Sequence, residues 1–320
     1  MDSVHYQIYS DSPDKPWILL LHGLFGNLDN LSALRRQFTG TFQVLSIDLP
    51  DHGKSAFTEG FSFVEYARRI TKLINSLQIT QLRIIGHSLG GKVAMQIAIN
   101  QRELISHLVV LDIAPVSYLA RHNNVFQGLD NVSLPNITSR KEADIALSKY
   151  VIESSTRQFL LKSLYNENNH WMWRFNLDLL GKDYSKLSSA ISSTQPYLGP
   201  VLFIKGENSD YLLLEHRAAV VQLFPNSHSR MVSAVSYIHL RAHETKAKLV
   251  CRLLLEKKKK NKHTYFPPLS SFTFSLPFSS PYRHPHPCFY LQLSPSTSSH
   301  ISSPPLLTPA TTLIPLYSHL

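Results

Sequence analysis

Cysteine is absent from the first 232 residues, and the two in the chain, Cys251 and Cys288, fall in its last quarter. That excludes a disulfide-stapled miniprotein and leaves the redox setting of the N-terminal body unspecified. Long apolar runs are also missing. Nowhere do about 18 consecutive apolar residues occur, so no membrane-spanning helix is expected. Met1 to Pro16 contains acids but no apolar leader-like stretch, and the expected compartment is cytoplasmic. Glycine stops at Gly206, and from 257 to 320 there is neither glycine nor an acid, while Pro and Ser supply 23 of 64 residues. Such a segment cannot bury enough apolar surface to order itself, and it reads as disordered.

What is present divides at Val232. The 320 residues carry a formal charge of +10 and a pI near 9.5, which taken whole would suggest an anionic partner. Residues 1–232 hold 22 Lys+Arg against 20 Asp+Glu, whereas 233–320 hold 10 against 2. The basicity therefore belongs to the extension. Its run Lys257-Lys258-Lys259-Lys260-Asn261-Lys262 is what an A-rich message encodes, and the Ser, Pro, Leu, Phe, His and Thr that follow mostly have pyrimidine-rich codons. The segment 233–320 is read as translated non-coding or chimeric sequence, joined near Val232. Its rival, a basic arm for nucleic acid, is the weaker alternative because a lysine run is more often a solvated face; no nucleic-acid partner is expected.

Within residues 1–232, short apolar runs alternate with amphipathic stretches, the pattern of parallel strands joined by helices. Strands are expected at Trp17–His22, Gln43–Asp48, Arg83–His87, Leu108–Ile113 and Val201–Lys205. Each is apolar on both faces, as central strands covered by helices must be. Helical spacing marks Phe63–Leu77 and Gly91–Ile99. The alternation stops after Asp112 and resumes at Val201. Between them, 121–198 is helix-like at Ala143–Val151 and Thr156–Leu164, then carries Trp171, Trp173 and Phe175. A helical lid inserted in the sheet accounts for this, and its aromatics either face a ligand or form the insertion's own core. The expected organisation is a core of 1–120 and 199–232, a lid of 121–198 and a disordered tail of 233–320.

Gly86-His87-Ser88-Leu89-Gly90-Gly91 closes an expected strand and opens an expected helix, the context that makes G-x-S-x-G informative. A serine on so tight a turn sits in a strained backbone, and only small residues two positions either side let the chain reverse. The turn lifts the Ser88 hydroxyl above the sheet edge and points the Leu89 N–H, at a helix N-terminus, toward a developing oxyanion. The alternative is a structural turn serine. His22-Gly23-Leu24-Phe25-Gly26 closes an earlier strand, and the Leu24 N–H is the expected second oxyanion donor. His22 and His87 precede the turning residues and are read as structural, and His52 as a loop-packing residue.

Together these segments resemble the α/β-hydrolase superfamily, in particular the small esterases of the YbfF-like group and their abhydrolase-domain relatives. The matching residues are His22-Gly-Leu-Phe-Gly-Asn-Leu-Asp-Asn30, Asp51-His52-Gly53-Lys54-Ser55, Gly86-His-Ser-Leu-Gly-Gly-Lys92, Leu111-Asp-Ile-Ala-Pro115 and Phe203-Ile-Lys-Gly-Glu-Asn-Ser209. The likeness runs from about Pro16 to Met231. It implies hydrolysis of small-molecule acyl esters or thioesters, such as acyl-CoA, through a covalent acyl-serine, with no cofactor and no metal. Ser88 would be the nucleophile. Two acids compete to orient the base: Asp112, which the resemblance favours, and Asp210, where many other members keep theirs. Ser209 is read as a turn former that assists near the histidine.

The resemblance also implies a histidine in a Gly-rich turn after the last strand, about a dozen residues beyond Phe224-Pro225. Here the chain reads Arg230-Met-Val-Ser-Ala-Val-Ser-Tyr-Ile-His239 and contains no Gly-His pair. His239 is a weak candidate for the base; His243 is further off and His228 too early. A serine without a neighbouring imidazole is a poor nucleophile at neutral pH, so this polypeptide is expected to be weakly active or inactive. The alternatives are a non-catalytic ligand-binding protein on the same fold and a carbon–carbon bond hydrolase. Sequons at Asn30, Asn131 and Asn136 are read as incidental. Acyl-chain preference and oligomeric state leave no trace in the sequence.

Overall fold

In a computed structural model, residues 3–232 are described. The expectations for 233–320, including His239, His243 and the join, lie outside the described residues. A four-residue edge strand, β1 (Tyr6–Tyr9), precedes β2 (Trp17–Leu21), helix α1 (Ser32–Phe38), β3 (Gln43–Ile47), α2 (Phe63–Ser76), β4 (Leu82–His87), α3 (Leu89–Asn100) and β5 (Ile105–Leu111). After a long insertion come β8 (Val201–Gly206), α9 (Arg217–Leu223) and β9 (Ser227–Val232). The sheet order is β1-β3-β2-β4-β5-β8-β9. Among the described strands of this sheet, only β1 runs antiparallel to its neighbour. The mostly parallel α/β sheet expected from the sequence is therefore present, and each of the five expected strands is found within three residues of its expected limits.

Alternation along the strands explains why both sheet faces are covered. Ile18 and Leu20 of β2 join Leu34 and Phe38 of α1 and Ile85 of β4 in one core. Leu19 and Leu21 point the other way, toward Ile70 and Ile74 of α2 and Val93 and Ile97 of α3. Helix α2 starts where the Ser62 side chain accepts the Glu65 N–H at 3.4 Å, and its buried positions Ala67, Ile70, Thr71 and Ile74 recur at helical spacing. Helix α3 is buried from Leu89 to Ile99, as expected of a helix between a sheet and an overlying layer.

The insertion between β5 and β8 contains α4 (Asn123–Asp130), α5 (Arg140–Ser148), α6 (Ser154–Leu161), a hairpin of β6 (Leu164–Glu167) and β7 (His170–Trp173), then α7 (Leu177–Lys182) and α8 (Tyr184–Leu187). The hairpin departs from a purely helical reading. Its two turn residues, Asn168 and Asn169, have φ of 52° and 63°, the left-handed pair that matches strand twist in a two-residue turn. Leu164, read as the end of a helix, instead opens β6 opposite Trp173.

Polar contacts fasten the insertion to the loop after β3. The Asn176 N–H donates to Asp51 O at 2.9 Å, and the Asn176 side-chain amide donates to the Asp51 carboxylate at 2.9 Å. That buried carboxylate also accepts from the Tyr66 hydroxyl at 2.6 Å and from Thr58. Gly53 has a φ of 61°, and a Cβ there would lie 2.1 Å from Asp48 Cγ. Asp48 in turn accepts from the Leu28 N–H at 2.7 Å and the Lys54 N–H at 2.8 Å. The polar turn from Asp48 to Ser55 is thus a braced joint.

Candidate active site

In a parallel sheet, the loops leaving the carboxyl ends of adjacent strands share one edge. The order β2-β4-β5 therefore sets the His22–Gly26 loop, the β4–α3 turn and Asp112 side by side. Leu24, Ser88, Leu89 and Asp112 line a single cavity of about 490 Å³, roofed by Val125, Ile152 and Phe159 of the insertion. The structure brings these four residues together from three separate stretches of sequence.

Ser88 occupies a left-handed conformation, φ 50° and ψ −117°. Such a backbone costs on the order of 1–3 kcal/mol and persists only where its surroundings enforce it. Here the Ser88 N–H donates to Leu111 O at 3.0 Å, and its carbonyl accepts from the Gly91 and Lys92 N–H groups at 2.8 and 3.1 Å. Glycine is required on both sides. A Cβ on Gly86 would lie 2.2 Å from Gly90 O, and one on Gly90 would lie 2.3 Å from His22 O. Leu89 is the first residue of α3, so its N–H has no partner within the helix and lies at the positive end of the helix dipole.

The loop carrying Leu24 is held by His22. Its Nδ1–H donates to Gly23 O at 2.8 Å, and its Nε2 accepts the Leu49 N–H at 3.0 Å. Both ring nitrogens are used, and burial lowers the imidazole pKa to about 4. His52 donates from Nδ1 to Pro50 O at 2.9 Å and meets His22 edge to face at 5.3 Å; burial lowers it to about 3. His87 is likewise brought to about 3, first by burial and then by the nearby His22. Three neutral imidazoles are thus buried around the site, and His87 is among the residues that line the cavity. The Ser163 hydroxyl of the insertion donates to Phe25 O at 2.9 Å, which ties this loop to its roof.

Asp112 follows β5 at a φ of 58°, with its N–H donating to Ile204 O at 2.8 Å. Burial raises its pKa, against the lowering influence of the nearby Ser209 side chain, of the Gly206 N–H, which donates to its Oδ1 at 3.4 Å, and of nearby Lys205. Asp210 differs in every respect: it is largely exposed and ion-paired with Arg121 at 2.7 Å. Of the candidate bases, His228 lies opposite Leu202, well before the strand end at Val232, and His239 is outside the described residues. Among the described residues, no group of three His, Cys, Asp or Glu could hold a metal ion, and no helix is long and apolar enough to cross a membrane.

The model of the α/β-hydrolase fold matches residues 16–240. The chain belongs to the α/β-hydrolase fold family. Among relatives of this hydrolase, the sn-1-specific diacylglycerol lipase ABHD11 of Xenopus laevis is 35% identical over 229 residues, covering 69% of this chain and 73% of the relative. The esterase YbfF of Escherichia coli (strain K12) is 31% identical over 221 residues, covering 69% and 85%. A solved structure described as a marine microorganism esterase superposes with a TM-score of 0.75 at 27% identity, covering 78% of this chain and 98% of that one.

Several cavity residues of this hydrolase were not singled out by sequence reasoning. Tyr118, Arg121 and Tyr211 stand together at one wall, with the Arg121 guanidinium 4.9 Å from the Tyr211 ring centre. Lys92 lies beneath them, only 2% exposed. A lysine within the mostly apolar helix α3 was the available signal.

Proposed function

We propose that this α/β hydrolase cleaves acyl esters or acyl thioesters through a covalent acyl-serine on Ser88. The observation that carries this reading is the strained serine in a cavity that it shares with Leu24, from the loop after β2, and Leu89, at the start of α3; their backbone N–H groups are the oxyanion donors of this scheme. Ser88 attacks the acyl carbonyl; the two N–H groups receive the developing oxyanion, a contribution worth about 2.7–4 kcal/mol per donor in related chemistry. Asp112 is the acid that holds the catalytic base in its productive tautomer. Its partial burial, cavity position and the bond it accepts from the Gly206 N–H support it over Asp210, which Arg121 engages. Residues 121–198 act as the lid over the acyl group.

The base is the weak point. Without a Gly-His turn after Gly206, turnover by this polypeptide is slow or absent, because a misplaced imidazole forfeits on the order of 100-fold for about 1 Å. The same absence favours a second reading, a hydrolase-fold protein that binds an acyl ligand without turning it over. Incubation with a fluorophosphonate distinguishes the states of the site: weak labelling confined to Ser88 is expected, and strong rapid labelling would contradict the impaired base. Ligand-dependent stabilisation with no acylation of Ser88 would favour the binding protein.

A further inference from the structure

Lys92 is buried in the core and lines the cavity, yet the acyl-transfer scheme has no use for it. Its Nζ donates to Val116 O at 2.9 Å, Ser188 O at 3.2 Å and Ser189 O at 2.5 Å. An ammonium has three N–H donors, and three carbonyls meet them. Among the described residues no carboxylate pairs with it, and burial alone lowers its pKa to about 7. A charge placed there is costly unless its hydrogen bonds are complete.

The three carbonyls belong to the two chain crossings between core and insertion. Val116 lies on the outgoing crossing, Ser188 and Ser189 on the return. The crossings are laced to each other: the Tyr118 N–H donates to Ser188 O at 2.9 Å and the Ile191 N–H to Pro115 O at 3.1 Å, and the Ala190 N–H donates to Ser117 Oγ at 2.9 Å. Lys92 is what joins this lacing to α3. About one helical turn before it, roughly 6 Å along the axis, stands Ser88, the residue that precedes α3. The Lys92 Nζ also sits 4.9 Å from the Tyr118 ring centre, and the Tyr118 hydroxyl bonds to the Ala114 N–H and to Tyr211 O. One cation therefore touches the outgoing crossing, the return crossing and an aromatic wall of the cavity.

We infer that Lys92 is a positioning residue, a clasp that holds the crossings of the lid at a set distance from the nucleophile and thereby fixes the depth of the acyl cavity. It acts on the substrate through the lid and not by contact. The inference rests on the proposed lid and acyl-serine reading for its consequence, but the clasp itself is read without any turnover.

Hydrogen exchange at pH 6 on the full chain tests it, comparing wild type with K92M, K92R and K92Q. In K92M the amides of Tyr118, Ala190 and Ile191 exchange about tenfold faster or more, while those of β2 and β4 are unchanged. K92R, which keeps a charged multiple donor, restores protection to within about threefold of wild type. K92Q serves in place of K92M should the latter not fold, and is read the same way. In the same proteins, labelling of Ser88 by a decyl fluorophosphonate falls relative to an ethyl one by about fivefold in K92M. Unchanged crossing amides in K92M, equal acceleration throughout β2 and β4, or an unchanged decyl-to-ethyl ratio would overturn the clasp. Absence of any Ser88 labelling alongside selectively loosened crossings would instead count against the acyl-serine reading and leave the clasp standing.

Discussion

At the scale of single residues, the site is a set of backbone conformations that few side chains tolerate. Ser88 and Asp112 both lie at positive φ, and each is held there by a backbone bond to the neighbouring strand. Gly90 shows how little room remains: a methyl group there overlaps the carbonyl of His22. G90A is therefore expected to destabilise by about 2–4 kcal/mol, seen as a lower urea midpoint with an unchanged slope. The two acids separate by substitution. D112A is expected to slow acylation of Ser88 by about tenfold or more, because the base loses its orienting partner, whereas D210A, which removes an exposed ion pair, stays within about threefold. The reverse order, measured with a p-nitrophenyl ester and intact-mass detection, would move the acid to Asp210.

At the scale of elements, legibility followed burial on two faces. Strands β2, β3, β4, β5 and β8 were visible in the sequence because each is an apolar run packed by helices above and below. β1 was not, since three of its four residues are exposed and only pairing with β3 makes it a strand. β9 reads Ser-His-Ser-Arg-Met-Val and is imposed by its register against β8. The β6–β7 hairpin was hidden by its brevity, with four residues on each side of two asparagines. The elbow, the Leu24 loop and Asp112 could be located because glycine spacing and strand ends are local signals. Lys92 carried a local signal as the lysine of a mostly apolar helix, but its partners could not be read, because they lie 24, 96 and 97 residues away. The bond from the Ser163 hydroxyl to Phe25 O spans 138 residues and was equally silent. S163A, which removes this tie between lid and oxyanion loop, is expected to cost about 1–2 kcal/mol of stability, with no effect in urea titration as the contrary result.

At the scale of the whole molecule, the net charge of +10 resolves into a nearly neutral hydrolase body and a basic extension, so the global charge says little about what the cavity takes. The body's own pH response comes from inside. His22, His52 and His87 are held neutral with pKa values of about 4, 3 and 3, below the unfolded value of about 6.5. Below that value the unfolded chain binds protons that the folded chain refuses, so stability is full at neutral pH and falls as the pH drops from about 6.5 toward 4. By pH 5 each imidazole withdraws roughly 2 kcal/mol, and the urea midpoint is expected to fall steeply between pH 7.5 and pH 5; equal midpoints would contradict the buried neutral cluster. The central claim is that Ser88 takes up an acyl group, and it is tested most directly by intact-mass and peptide analysis of the full chain after exposure to p-nitrophenyl butyrate. The expected result is a single butyryl adduct on Ser88, long-lived because deacylation lacks an efficient base, and absent from S88A. Ester hydrolysis that persists in S88A, or an adduct found on another residue while Ser88 stays free, would contradict it.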